Sequence, residues 1–375
     1  MGGTQPAARL LIDLDAIIAN WRRLSEIASP ARCGAVVKAD AYGLGATHVV
    51  RALLRAGCRE FFVALVDEGV QLRDTLKSEW PANARIHVLH GPLPGAEATC
   101  LSHGLTPVLN SLDQIERWTR LAAYHQRRLS AAIQVDTGMA RLGLSPADLD
   151  RLQTRPSRLD GITTTFLMTH LASAEEADNP MNPLQLERFN AARKRFSQAL
   201  ACLANSSGIF LGSAFHFDVV RPGAALYGVA PTVGQANPMR PVVRIKASLI
   251  QCRDVVRGEG VGYNHTWSAP RPSRIATVSV GYADGYLRSA SNRAKLRLNG
   301  EDVPVVGRVS MDTVTVDVSA INPEYLVPGA LFDVIDDVQD INALALQAET
   351  NAYEILTSLG SRYRREYVGG QKIYP

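Results

Sequence analysis

Short apolar runs alternate with stretches of helical periodicity through roughly the first 230 residues of the chain. That alternation predicts parallel β/α architecture, because a crossover helix must cover the sheet before the next parallel strand begins. The predicted strands are residues 34–37, 62–65, 86–89, 107–109, 131–135, 163–169, 201–204 and 224–227. Between them, residues 111–125 repeat Leu112, Ile115, Trp118 and Leu121/Ala122 at helical spacing. Residues 182–200 do the same with Leu184, Leu186, Phe189, Ala192 and Phe196, and Asn182-Pro183 supplies a cap and first turn. Eight such strands predict a closed (β/α)8 barrel rather than an open sheet.

The pattern changes after residues 231–241, which are rich in Pro, Gly and Asn. Beyond them β-branched alternation dominates, predicting strands at 242–250, 274–280, 295–298, 303–306 and 313–318. Asn299-Gly300 between two of these is a two-residue hairpin signal. One helix at 342–359 and a final strand-like segment follow. The expected fold is α/β, with an N-terminal (β/α)8 TIM barrel over residues 1–240 and a C-terminal mainly-β domain over 241–375. No internal repeat or low-complexity tract interrupts this rhythm.

Composition narrows the class. Hydrophobic residues make up 46% and charged residues 20% of the 375, as expected of a globular protein with a full core. The net charge of +4 is too small and dispersed to indicate nucleic acid, and the Arg362-Tyr363-Arg364-Arg365 run reads as a solvated face. Cys33, Cys58, Cys100, Cys202 and Cys252 lack metal or disulfide spacing, which suits a reducing compartment without a zinc site. There is no secretory-signal pattern at the N-terminus, and no apolar run approaches the ~20 residues that span a bilayer. The expectation is a cytoplasmic protein without a membrane partner.

The candidate chemistry begins at Val36-Val37-Lys38-Ala39-Asp40-Ala41-Tyr42-Gly43-Leu44-Gly45. A lysine at the end of a buried strand loses solvent, which disfavours its ammonium form. The neutral amine condenses with aldehydes, so the context suits a Schiff-base lysine, although a strand-end lysine ordinarily just points to water. Barrel active sites collect at the C-terminal ends of the strands. Residues 136–141 follow the fifth predicted strand, His170 the sixth and Asn205-Ser206-Ser207-Gly208 the seventh, while Arg221-Pro222-Gly223 lies beside the eighth. Small-residue loops there suit phosphate binding by backbone amides. Singly, these are a plain turn, a core histidine and a surface ion pair. Their joint placement at one face marks a site.

Residues 36–45, 136–143 (DTGMARLG), 221–228 (RPGAALYG), 281–285 (GYADG) and 307–312 (GRVSMD) resemble the alanine racemases in order and spacing, over nearly the whole chain. The resemblance implies pyridoxal 5'-phosphate (PLP) in the barrel mouth, carried by Lys38, which is also one catalytic base. It implies that Tyr42, Asn205, Ser206, Gly223, Ala224 and Tyr353 surround the phosphate, and that His170 belongs to the same cofactor-binding set. Arg221 then faces the pyridine nitrogen, and Arg141 lies near the phenolic oxygen and the substrate carboxylate. Tyr263, in Val261-Gly262-Tyr263, is the implied second base, supplied by the partner subunit. Met311 is the residue whose backbone amide binds the carboxylate. The implied protein is a homodimer with shared active sites that interconverts L- and D-alanine for peptidoglycan.

Racemisation removes a proton from one face and returns one to the other, so two bases on opposite sides are the simplest solution. The family assigns the D-enantiomer to Lys38 and the L-enantiomer to Tyr263. His170 and Arg221 are expected to favour the Tyr263 phenolate through positive charge and hydrogen bonding. An arginine stays protonated, so Arg221 keeps the cofactor nitrogen neutral and weakens the electron sink, which restrains transamination. Related barrel-fold decarboxylases place a glutamate there. The alternatives are a racemase of serine or of a broad range, such a decarboxylase, and a non-catalytic PLP-binding protein that resembles the barrel alone. Two positions depart from the family. Leu44 stands where histidine is common, and Gln134 where a carbamylated lysine often braces the arginine matching Arg141. The expectation at Gln134 is no carbamate, and instead a contact with Arg141 or a chloride beside it.

Overall fold

The structure, a computed structural model, describes residues 6–370. It divides into two compact units. Ile17–Arg240 forms one, and Pro241–Gly369 forms the other together with the N-terminal residues up to Ala16.

The first unit is a parallel barrel. Ala35–Val36 pairs with Glu60–Val63, and Arg85–Val88, Thr106–Leu109, Leu129–Gln134, Ile162–Met168, Leu200–Cys202 and Val219–Val220 follow in order. Val219–Val220 then pairs with Arg32–Cys33, the other half of the first strand, so the ring closes through Gly34. Gly34 donates its N–H to Val220 O at 2.9 Å. A Cβ there would stand 2.8 Å from Glu60 O and 2.7 Å from the Phe62 ring, so closure requires glycine. Val36, Phe62, Val108, Ala132, Phe166, Met168, Cys202 and Val219 pack the interior.

Seven predicted strands lie within two residues of their observed positions. The eighth does not. The apolar run 224–227 is a 3-10 turn, Ala224–Tyr227, and the closing strand is Val219–Val220. Pro222 has no N–H to continue a ladder, and the Tyr227 hydroxyl donates to Val36 O at 2.9 Å instead. Leu112–Tyr124 forms as expected, with Ser111 Oγ accepting from Gln114 N at 3.2 Å. The helix expected over 182–200 is Met181–Arg193, and Asn182 is buried within it rather than capping it. It ends early because Leu200–Cys202 must be free to pair with Phe166–Met168.

The second unit is built on the long strand Val243–Val255, which pairs antiparallel with Ala8–Asp13, Ser273–Val278 and Leu331–Ile335. Ala8–Asp13 also lies parallel to Arg364–Val368. No strand was expected at Ala8–Asp13, which falls in the 1–240 span assigned to the barrel; in the structure its pairing partners are strands of the second unit. Lys295–Leu298 and Glu301–Pro304 form the hairpin, with Asn299 at φ 51° and Gly300 at φ 85° as a type I′ turn requires. The single helix expected at 342–359 is two, Ile341–Gln347 and Ala352–Ser358. Glu349 turns left-handed at φ 53°, and Asn351 Oδ1 recaps the chain by accepting from Glu354 N at 2.8 Å. Among the described residues no helix is long and apolar enough to cross a membrane, and no group of His, Cys, Asp and Glu side chains is placed to hold a metal ion.

Candidate active site

The strand that ends at Val36 delivers Lys38 into an unusual turn. Val36 N and Val37 N are fixed by Pro222 O at 2.9 Å and Phe62 O at 2.8 Å. Ala39, Asp40, Ala41 and Tyr42 then all lie in the left-handed region, with φ between 51° and 56°. Left-handed backbone costs L-residues about 1–2 kcal/mol each, so the surroundings must hold this turn. Glu68 Oε1 accepts from Ala39 N at 2.6 Å, and Asp40 Oδ1 accepts from Ala46 N at 2.7 Å. Glu68 is itself anchored, accepting through Oε2 from Ala64 N at 2.7 Å and Leu65 N at 3.0 Å. Burial lowers the pKa of the half-buried Lys38 below the ordinary lysine value, Arg141 and Arg221 lower it further, and Glu68 opposes them. The neutral amine is therefore more accessible than in water.

A small-residue cradle lies beside this turn. Ser206 Oγ accepts from Gly223 N at 2.9 Å and Ala225 N at 3.1 Å. Both of its lone pairs are thus engaged, and its O–H remains to donate. A Cβ on Gly223 would come within 2.5 Å of the Tyr42 hydroxyl, so only glycine lets the chain pass. Tyr42 packs against Tyr227 with ring centroids 4.9 Å apart. Asn205 Oδ1 accepts from Gly208 N at 2.8 Å and shapes the turn. Since Val219–Val220 is the closing strand, residues 205–206 and 221–224 both follow strand C-termini, as Lys38, Asp136 and His170 do.

Arg221 is buried without a carboxylate partner. Its Nη2 donates to Thr169 O at 2.6 Å and its Nε to Cys202 Sγ at 3.1 Å. Its third nitrogen, Nη1, has no hydrogen-bond partner among the described residues. His170 is half-buried, and its pKa is pushed down to about 3, by burial first and then by Arg221, Arg141 and Lys38. It is therefore neutral at physiological pH. Of the pair expected to act through positive charge and hydrogen bonding, Arg221 is the cation and His170 a neutral ring. The loop carrying Arg141 is shaped by Asp136 Oδ1, which accepts from Gly138 N and Met139 N at 2.9 Å. The Arg141 guanidinium is exposed, with no hydrogen-bonding partner among the described residues. Gln134 is not its brace. The Gln134 amide donates to Leu142 O at 3.2 Å, because the turn at Gly143 (φ 107°) folds that carbonyl back over it.

Tyr263, Met311 and Tyr353 belong to the second unit. Tyr263 follows Gly262 (φ 73°) and is 65% exposed, and Met311 is 53% exposed. Tyr353 is half-buried on Ala352–Ser358. The structure also brings in residues the sequence did not single out. Thr169, Cys202 and Glu68 are one hydrogen bond from the site, and their role rests on tertiary placement that no spacing announces. Asp284, within the GYADG segment, and Arg362, first read as solvated, form a bridge that reaches Asp312 beside Met311. The GYADG motif was the available signal.

Two family models match the chain: the alanine racemase N-terminal domain over residues 12–231 and the alanine racemase C-terminal domain over residues 242–367. An alanine racemase of Rhodospirillum rubrum is 52% identical over 371 residues, 98% of each chain. A catabolic alanine racemase of Agrobacterium fabrum is 47% identical, over 96% of this chain and 92% of its own. The crystal structure of alanine racemase from Bartonella henselae with covalently bound pyridoxal phosphate superposes with a TM-score of 0.91 at 40% identity. It covers 96% of this chain and 99% of its own.

Proposed function

Because the chain belongs to the alanine racemase family, and so to the PLP-dependent isomerases of L- and D-alanine, we propose that Lys38 and Tyr263 are its two bases. The carrying observation is the lysine turn, where a held, left-handed backbone presents a partly desolvated amine in the field of two arginines.

The barrel residues fit PLP. Gly223 leaves no room for a side chain beside the Tyr42 hydroxyl, and Ser206 keeps an O–H to give to a phosphate oxygen. Arg221, a buried residue, keeps its Nη1 as a donor to spare, suited to an unprotonated ring nitrogen. We assign Lys38 as the covalent attachment point, with Tyr42, Asn205, Ser206, Gly223, Ala224 and Tyr353 around the phosphate. His170 adjoins the cofactor as a neutral ring. Bound PLP supplies an electron sink that acidifies the substrate's α-C–H.

The protein's own groups do the rest. Lys38 Nζ, its pKa lowered by burial and by the positive charge of Arg141 and Arg221, moves the proton on one face. Tyr263 Oη moves it on the other. Arg141 and the Met311 backbone amide hold the substrate carboxylate, so that the α-C–H faces both bases. Arg221, always protonated, cannot transfer a proton to the ring nitrogen and limits charge build-up there. Tyr263 and Met311 act in the partner's site, which makes the functional unit a homodimer. The protein works in the cytoplasm and supplies D-alanine for peptidoglycan. The catabolic relative at 47% identity favours a second reading, alanine breakdown.

The test runs the holoenzyme in deuterated water from L- and D-alanine separately. Wild type is expected to exchange the α-proton of both and to reach an equal mixture without releasing carbon dioxide. Tyr263→Phe should lose racemisation and L-alanine exchange while retaining some D-alanine exchange. Normal racemisation by that variant would make Tyr263 structural, and carbon dioxide without racemisation would overturn the function. A strain lacking the gene should require D-alanine; losing only growth on alanine would point to the catabolic role.

A further inference from the structure

Residues 281–285 and 310–312 are two loops pressed together with no space for intervening side chains. Tyr282 N donates to Ser310 O and Ala283 N to Met311 O, each at 3.0 Å. A Cβ on Gly281 would stand 2.4 Å from both carbonyl oxygens. On the far side, Gly285 (φ 93°) passes so close to the end of Ala352–Ser358 that a Cβ would lie 2.3 Å from Ser358 O.

Asp284 is buried at the centre of this packing. Its carboxylate accepts from Gly281 N at 2.9 Å and from Arg362 Nε and Nη2 at 2.7 Å each. The remaining arm of the same guanidinium, Nη1, donates to Asp312 Oδ1 at 2.6 Å, one residue beyond Met311. Exposed ion pairs ordinarily contribute little. This one is different in kind, because a rigid fork engages a buried carboxylate with two arms and spans to the second loop with the third nitrogen.

The peptide between Ser310 and Met311 is planar and trans, so fixing its carbonyl fixes its N–H in the opposite direction. Tyr282 N holds that carbonyl, and the Met311 N–H has no partner among the described residues. We propose that Arg362 is a positioning residue for substrate binding. By tying Asp284 to Asp312 it holds the 310–312 loop so that the Met311 N–H is aimed at the substrate carboxylate. The inference rests on the reading of Met311 given above.

The test uses propionate, which carries alanine's carboxylate without its amino group, as a competitive probe of the holoenzyme. Arg362→Met removes the whole bridge. Asp312→Asn removes only the charge pair to the second loop and leaves Asp284 paired, so it reports even if Arg362→Met fails to fold. Both are expected to raise the propionate inhibition constant and the KM for both alanine enantiomers about tenfold, the worth of one misaligned hydrogen bond to a charged group. PLP content and absorption should stay unchanged, and kcat should move less than KM. Arg362→Lys should not rescue, because an ammonium has no fork. Arg364→Met, on the neighbouring strand, should behave as wild type. Unchanged propionate inhibition and KM in folded Asp312→Asn would overturn the bridge alone. Failure of propionate to compete with alanine in wild type would overturn the Met311 reading itself, and this proposal with it.

Discussion

Around Lys38 the charges are arranged so that burial and like charge act in the same direction. Its pKa falls because the side chain is desolvated and faces Arg141 and Arg221, while Glu68, the one opposing acid, spends its carboxylate on backbone N–H groups. His170 answers to the same field and remains neutral in the folded protein down to about pH 3, whereas its ordinary value is 6.5. Between those values the unfolded chain binds a proton that the folded chain refuses. Stability from this site is therefore complete above pH 6.5 and is lost progressively as pH falls toward 3. Replacing His170 by Asn removes that linkage. Urea midpoints at about pH 7 and about pH 4.5 should fall further apart in wild type than in His170→Asn; equal separations would mean that His170 titrates normally. The placement of Lys38, His170 and Arg221 at strand C-termini was legible from the strand pattern, whereas Tyr263 was named only through the family resemblance. The neutrality of His170 was not legible, since it depends first on burial and then on three cations brought from separate loops. Nor was the buried pair of His87 with Glu60 at 2.7 Å, which links two strands no motif connects.

Among the elements, the barrel strands were legible because each is a short apolar run bounded by helical periodicity. The eighth failed for a physical reason. Residues 224–227 are as apolar as a strand, but Tyr227 is buried by hydrogen bonding to Val36 rather than by pairing in the sheet. Two-residue pairings such as Val219–Val220 carry almost no periodicity to detect. The C-terminal helix broke for a related reason, since a left-handed Glu349 and the Asn351 cap outweigh a continuous apolar face. Gly34 is where barrel closure is most exposed to a single change. Gly34→Ala places a Cβ 2.8 Å from the Glu60 carbonyl, a backbone atom that cannot swing aside. Overpacking of this kind costs about 1–3 kcal/mol, and the denaturant midpoint should fall accordingly at constant slope. An unchanged midpoint would show that the strand can open at Gly34 without loss.

At the scale of the whole molecule, the residues proposed to carry the chemistry are divided between the two units of the chain. Lys38, Arg141, His170 and Arg221 lie in the barrel unit, and Tyr263 and Met311 in the β unit. Tyr263 and Met311 are large side chains left substantially in solvent. The central claim is that one site takes its lysine from one subunit and its tyrosine from the other. The direct measurement mixes Lys38→Ala with Tyr263→Phe, each inactive alone, dissociates and reassociates them in equal amounts, and assays racemisation. If sites are shared, each mixed dimer holds one site with both native bases, and random reassociation restores about a quarter of wild-type activity. If mixed dimers form but no activity returns, both bases come from the same chain and the account is contradicted.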